Sequence, residues 1–201
     1  GFLITLFTNG TLITSEVVDF LRKWPPFTVE ITLYGMTAET YERMTRVAGS
    51  FRRCMNGIHL LLEKGIPLKL KAIVTTLNKH ELWEIKEFSE GLGLDFRFDP
   101  HISPRLDGSK EPCELRIPPR EVLQLDLMDG RRSKDWRDLC QKYWGEVKSD
   151  YLYNCGGGHS SFQIDPYGRL SICEVSRKPN YGLRRGSFKE GWYEFLSSLR
   201  E

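Results

Sequence analysis

Two periods alternate along the first half of the chain. Short apolar, β-branched runs at residues 2–8, 28–34, 68–75 and 94–98 read as strands, and between them the apolar positions move to helical spacing. Residues 50–64 carry Phe51, Cys54, Met55, Ile58, Leu61 and Leu62 on one helical face, which turns Cys54 toward the core. Asn78 stands at the cap of the next helix with Glu81 three residues on, and Leu82, Ile85 and Phe88 form its buried stripe. Gly91 and Gly93 end that helix, as Gly65-Ile66-Pro67 ends the one before it. Strands alternating with helices in this way predict an α/β fold built of βα units on a parallel sheet.

The alternation lapses from Pro100 to Pro119. This stretch is longer than an ordinary βα connection, so it is either functional or a boundary between units. Asp99, Asp107 and Arg116 could line a substrate mouth there, although an Asp–Arg pair that pins the loop is the plainer expectation. Helical patterns follow at residues 121–128 and 135–144, and Ser187 with Glu190 forms a capping box for a last helix. The chain opens on Gly1 inside a strand pattern and closes at Glu201 without a helix stop. Both ends therefore read as the interior of a longer protein.

Composition narrows the classes. With 201 residues and 40% hydrophobic content the chain can bury a substantial core. Its 29 basic and 27 acidic residues are interspersed, and Arg52-Arg53, Arg131-Arg132 and Arg184-Arg185 read as solvated faces, so no nucleic-acid partner is expected. No apolar run reaches the length of a membrane span, and no membrane association is expected. The 5 cysteines form no repeating framework, which favours a reducing, cytoplasmic setting.

Cys155, Gly168 and Cys173 follow the order Cys-x12-Gly-x4-Cys. Asp165-Pro166-Tyr167-Gly168 is a strong turn, and residues 161–164 and 169–172 on either side become paired strands. Closure around that turn sets Cys173 across from about Ser160, while Gly156-Gly157-Gly158 lets the backbone curl until Cys155 approaches it. Two thiols held this way suit a soft metal; buried, inert cysteines are the competing reading. Cys140 upstream is a third candidate ligand; His159 could be another, although a hydrogen bond to a sulfur or simple exposure is the plainer reading, and Cys113 in the long loop reads as incidental.

Several segments in order carry a family resemblance. Thr8-Asn9-Gly10-Thr11-Leu12-Ile13 follows a strand, then come Ile31-Thr32-Leu33-Tyr34-Gly35, Gly49-Ser50-Phe51 and Val74-Thr75-Thr76-Leu77-Asn78. This order resembles the middle of a radical S-adenosylmethionine (radical SAM) enzyme, and the cysteine hairpin resembles the opening of the SPASM or twitch extension that binds auxiliary iron–sulfur clusters. The resemblance implies strands three to six of an incomplete parallel (β/α)6 partial TIM barrel over residues 1–100, a connection over 101–150, and a β-hairpin plus helix extension from 151 to 201. It also implies that the catalytic three-cysteine loop and a Gly-Gly-Glu-type segment precede this sequence, so that the segment alone would not cleave SAM.

The implied cofactors are S-adenosyl-L-methionine and a 4Fe-4S cluster, with Cys155, Cys173 and Cys140 as metal ligands. The implied cofactor-binding residues are Asn9, Gly10, Thr32, Gly35 and Asn78. Thr32 stands where relatives often place a serine near the SAM ribose, and an ordinary strand threonine is the alternative. Asn78 matches a family asparagine, but helix capping explains it without a ligand and is the preferred reading. Arg46 departs from a common glycine. The implied partners are a peptide or small-molecule substrate and an electron donor such as a flavodoxin or ferredoxin. A structural zinc protein using Cys140, Cys155, His159 and Cys173, or a peptide-binding α/β module, are the readings outside this family.

Overall fold

The strand-forming runs pair in chain order. In the computed structural model, which describes residues 1–145 and 154–200, β1 (Thr5–Thr8), β2 (Thr28–Thr32), β3 (Leu68–Ile73) and β4 (Phe96–Asp99) form a parallel sheet in the order β1-β2-β3-β4. Helices α1 (Ser15–Lys23), α2 (Ala38–Thr45), α3 (Ser50–Glu63) and α4 (Leu82–Gly91) lie between or after them. The parallel α/β sheet expected from periodicity is therefore present. The chain divides into two units, Gly1–Gly130 and Arg131–Glu201. The expected boundary between residues 150 and 151 lies outside the described residues.

Period-two alternation sorts the sheet into two unlike faces. Val29, Ile31, Leu68, Leu70, Ala72 and Phe98 are buried in one core with Val18 and Leu21 of α1, Tyr41 of α2, Cys54, Ile58 and Leu61 of α3, and Leu82 and Ile85 of α4. Removing such side chains from water is the main drive for this packing, worth about 1.5–3 kcal/mol for each large aliphatic residue. The intervening residues, Glu30, Thr32, Lys69, Lys71 and Arg97, carry polar groups to the opposite face. Parallel sheets are ordinarily apolar on both faces. This one is polar on the second.

The chain between α4 and the second unit is tied back to the sheet. Helix α5 (Pro119–Met128), itself part of the first unit, is joined to the turn just before α4 by Lys79–Glu121 at 2.5 Å and to α4 by Lys86–Asp129, just past its own end, at 2.6 Å. The long connection contains a 3-10 turn, Glu111–Leu115. It is pinned by Arg116, but not through the expected aspartate pair: Arg116 Nε and Nη2 donate to the Ile102 carbonyl at 2.9 and 2.6 Å, while Asp99 accepts from the His101 amide. A main-chain acceptor within the loop has displaced the carboxylate.

In the second unit, α6 runs over Gly130–Lys142 and ends before the expected 144. The hairpin strands β5 (Gln163–Ile164) and β6 (Arg169–Ser171) pair antiparallel, and β7 (Tyr181–Gly182), unforeseen in the sequence, pairs with β6. Asp165 organises the turn. Its Oδ1 accepts from the Tyr167 and Arg169 amides at 2.9 and 3.0 Å, and Gly168 takes φ +78°, which favours glycine. The expected Ser187–Glu190 capping box forms, opening a short helix, Phe188–Glu190, that continues as π-helix over Gly191–Leu196. Leu170, Ile172 and Leu196 make a small separate core on which Cys173, Tyr181 and Trp192 pack.

Candidate functional site

The carboxyl edge of the parallel sheet gathers the cofactor-site candidates of the first unit. After β1 the chain turns at Asn9-Gly10. Asn9 Oδ1 accepts from the Thr11 amide at 3.1 Å and hydroxyl at 2.8 Å, so its side chain builds the turn. Gly10 has φ +74° and donates its N–H to Thr8 Oγ1 at 3.2 Å. Beneath it, Gly57 of α3 meets the Gly10 carbonyl so closely that a Cβ there would strike main-chain oxygen. Gly57→Ala is expected to push the Asn9-Gly10 turn off the helix and destabilise the protein by about 1–3 kcal/mol. Denaturant unfolding checks the stability, and protease sensitivity near residue 10 checks the displacement.

Thr32 ends β2 beside Lys71 in register, buried, with no side-chain hydrogen bond among the described residues. Gly35 has a packing reason to be glycine: a Cβ would come within 2.8 Å of Glu81 Oε2 and 2.9 Å of Thr40 Cγ2. The Glu81 carboxylate is buried and fully engaged. It accepts from the Met36 amide at 2.5 Å, the Thr37 amide at 3.2 Å, and the hydroxyls of Thr37 and Thr40 at 2.8 and 2.5 Å. Burial alone would raise its pKa, but these donors, led by the Thr40 hydroxyl, together outweigh burial and hold it below the ordinary value.

Two local expectations are corrected here. Asn78 makes no side-chain cap and Glu81 makes no return bond; a 3-10 turn, Lys79–Glu81, leads into α4 instead. The Asn78 amide is spent on strand ends. Nδ2 donates to the Tyr34 and Ile73 carbonyls at 3.0 and 2.9 Å, and Oδ1 accepts from the Thr75 amide and hydroxyl at 2.7 and 3.0 Å. All four hydrogen-bonding positions are filled, which explains Asn78 as a clamp between the ends of β2 and β3. Glu81 serves the start of α2 instead, a helix more than thirty residues earlier in the chain. Arg46, at the end of α2, takes φ +57°, a left-handed conformation that glycine adopts more readily.

The polar sheet face adds charged residues that no motif pointed to. Glu30 accepts from Arg97 Nη2 at 2.5 Å and Nε at 3.2 Å, and Lys71 Nζ lies 3.3 Å from the same carboxylate and 4.7 Å from the Phe7 ring centroid. Burial would raise the Glu30 pKa, yet the hydrogen bonds and charge of Arg97, with those of Lys71, bring it down on balance. This cation-rich cluster adjoins Thr32. The signal for it was present in Lys69 and Lys71, which alternate with Leu68 and Leu70 in a strand whose partners are parallel.

The cysteine hairpin belongs to the second unit. Extending the β5–β6 register puts Cys173 opposite Ser161, one residue from the expected position. Ser161 bridges to Gly157, and Gly158 donates to the Ser161 carbonyl at 2.7 Å, so the triple glycine folds back along the strand. A Cβ at Gly157 would lie 3.4 Å from Cys155 Sγ and 3.1 Å from the Ile172 carbonyl. The Cys155 thiol therefore sits next to the segment that carries Cys173. Arg200 reaches the Cys155 carbonyl at 3.0 Å and also the Gly157 carbonyl, bracing the glycine turn.

The other candidates are dispersed. Cys54 is buried among apolar side chains, and that burial pushes its thiol pKa up, as suits an unreactive core residue. Cys140 is exposed on α6 and His159 is exposed beyond the glycines. Among the described residues no three His, Cys, Asp or Glu side chains gather as a metal shell. What the hairpin does bring together is the Cys155 thiol and the segment that carries Cys173, two soft donors on neighbouring stretches of chain. Among the described residues, no helix is long and apolar enough to cross a membrane.

Similarity to known proteins agrees with this geometry. No protein-family model matches the chain. It is 31% identical over 93 residues to an AdoMet-dependent heme synthase of Methanosarcina barkeri, covering 46% of this chain and 27% of that protein. It is 27% identical over 197 residues to mycofactocin maturase MftC of Mycobacterium tuberculosis, covering 92% of this chain and 49% of the maturase. The chain thus spans about half or less of these curated relatives. Its fold superposes on anSMEcpe with bound AdoMet at a TM-score of 0.62, with 15% identity over 96% of this chain and 57% of that one. Sequence similarity to AdoMet-dependent enzymes, together with a fold like that of anSMEcpe, supports a radical SAM enzyme.

Proposed function

We propose that the protein carrying this chain is a radical SAM enzyme that modifies a peptide and holds an auxiliary 4Fe-4S cluster. Residues 1–100 would be the later part of a partial (β/α)6 barrel, 101–150 the connection, and 151–201 the opening of a SPASM or twitch domain. The observation that carries this reading is the adjacency of Cys155 to the Cys173 segment in a chain otherwise related to AdoMet-dependent enzymes. When bound, the reduced catalytic cluster and SAM supply a 5′-deoxyadenosyl radical that can abstract hydrogen from substrate.

This chain's own part is to bind and orient. The Thr32 hydroxyl is offered to the SAM ribose from the end of β2, and the Asn9-Gly10 turn, built over Gly57, shapes the same edge. Lys71 and Arg97, held by Glu30, set a fixed polar floor beside Thr32. Cys155 and Cys173 supply two thiolates of the auxiliary shell, and further cysteines of the protein complete it. A peptide substrate is supported by kinship to a maturase and by the fold shared with anSMEcpe, known with a bound Kp18Cys peptide. A flavodoxin or ferredoxin would be the electron donor. A closed zinc site within this chain is not favoured, because the described residues gather no third ligand.

Thr32→Val is expected to weaken SAM binding roughly 2- to 10-fold, the worth of one hydrogen bond, and Thr32→Ser to restore it. Isothermal titration of the protein with SAM reads the result. Equal affinity in all three proteins would remove Thr32 from the site. Anaerobic reconstitution with iron and sulfide tests the whole reading: a protein that takes up neither is not an enzyme of this kind.

A further inference from the structure

We propose that the backbone N–H of Ser176 sets the reduction potential of the auxiliary cluster, a role that rests on the reading of Cys173 as a ligand. The Ser176 amide donates to Cys173 Sγ at 3.2 Å. The turn that aims it is fixed on both sides. Ser171 Oγ donates to the Cys173 carbonyl at 3.2 Å, Arg177 Nε to the Glu174 carbonyl at 2.6 Å, and Asn180 Nδ2 to the Arg177 carbonyl at 3.1 Å. Cys173 itself is half-buried against Leu170, Ile172 and Leu196, so the sulfur and its donor share a partly desolvated position.

A thiolate sulfur has several lone pairs, and one can accept the amide while another binds iron. Reduction adds negative charge to the cluster and its sulfurs. An N–H directed at the ligand sulfur stabilises the reduced form more than the oxidised one and raises the potential. Among the described residues no backbone N–H donates to Cys155 Sγ, and its surroundings differ: Cys155 is exposed, and Arg200 donates to its carbonyl at 3.0 Å. The two ligands would therefore be electronically unequal.

The donor is main chain, so the side chain and the hydrogen bond can be separated. Ser176→Ala keeps the N–H, whereas Ser176→Pro removes it. Replacement of the same peptide bond by an ester, through incorporation of an α-hydroxy acid at 176, removes it without the ring. In the protein reconstituted anaerobically with ferrous iron and sulfide, EPR-monitored redox titration is expected to give a wild-type auxiliary potential for Ser176→Ala. Both variants lacking the N–H should titrate at a more negative potential with unchanged iron content.

An unchanged potential in an N–H-less variant that retains its cluster would overturn the inference and leave the ligand reading standing. Failure of both N–H-less variants to take up the cluster, with Ser176→Ala normal, would replace tuning by assembly and overturn it too. Full auxiliary-cluster content in Cys173→Ser would instead remove the ligand reading, and the inference with it.

Discussion

Serine in place of Cys155 or Cys173 is expected to remove the auxiliary cluster while leaving the rest of the chain folded. Each substitution exchanges a soft thiolate for a hard, weakly ionised hydroxyl, and iron–sulfur clusters select against that donor. The loss should appear as about four fewer irons per protein, the content of one 4Fe-4S centre, with a parallel loss of labile sulfide and of the auxiliary EPR signal. The fold should survive because the second unit's core is carried by Leu170, Ile172 and Leu196, and its turn by Asp165 and Gly168. A thermal unfolding scan of the cluster-free protein separates the two effects. Cys54→Ser serves as the contrast, since that thiol lies in the first unit's core and should cost stability and no iron. Iron content unaffected by either hairpin substitution would defeat the auxiliary-cluster reading.

The second large effect concerns folding. Glu81→Ala should destabilise the protein by about 3–5 kcal/mol, because it strands the Met36 and Thr37 amides and the Thr37 and Thr40 hydroxyls in a buried position. Glu81→Gln should cost less, since its amide oxygen keeps part of the acceptor set. The lowered pKa gives the sign of the pH dependence. A carboxyl whose folded pKa is depressed contributes stability that is fully present above its ordinary value of 4.5 and is lost as pH falls through the folded pKa. Urea unfolding of the wild type should thus show stability falling below pH 4.5, and Glu81→Gln should lack that part of the slope. Parallel slopes in both proteins would show that Glu81 is not the group responsible.

What could be read before the fold was known depended on how local each cause was. The four parallel strands and their helices were legible because burial imposes period two and period 3.6 on the chain itself. The hairpin turn was legible for the same reason: Asp165, Pro166 and Gly168 carry its conformation within a few residues. Asn78 and Glu81 show the opposite case. Their spacing matches a capping box, yet their partners are Tyr34, Met36, Thr37 and Thr40, which a one-dimensional reading cannot bring near. Strand β7 escaped because Tyr181–Gly182 is too short to express a period. The Glu30–Lys71–Arg97 cluster was missed although Lys69 and Lys71 announced it, because a polar second face is unusual for a parallel sheet. At the candidate site, motif order located Asn9, Gly10, Thr32 and Gly35 at one sheet edge, but it could not show that Gly35 is glycine to make room for Glu81.

The fastening of Glu81 to the start of α2 bears on how this sequence can be recombined. A parallel sheet with helices between its strands invites treatment as a string of βα cassettes that exchange at loops. Here the residues that close one cassette are supplied by the next, with Asn78 reaching the end of β2 and Glu81 the start of α2. A crossover between residues 45 and 75 would separate donor from acceptor in both bonds, so chimeras should tolerate junctions before Thr28 or after Gly91 far better than junctions inside that window.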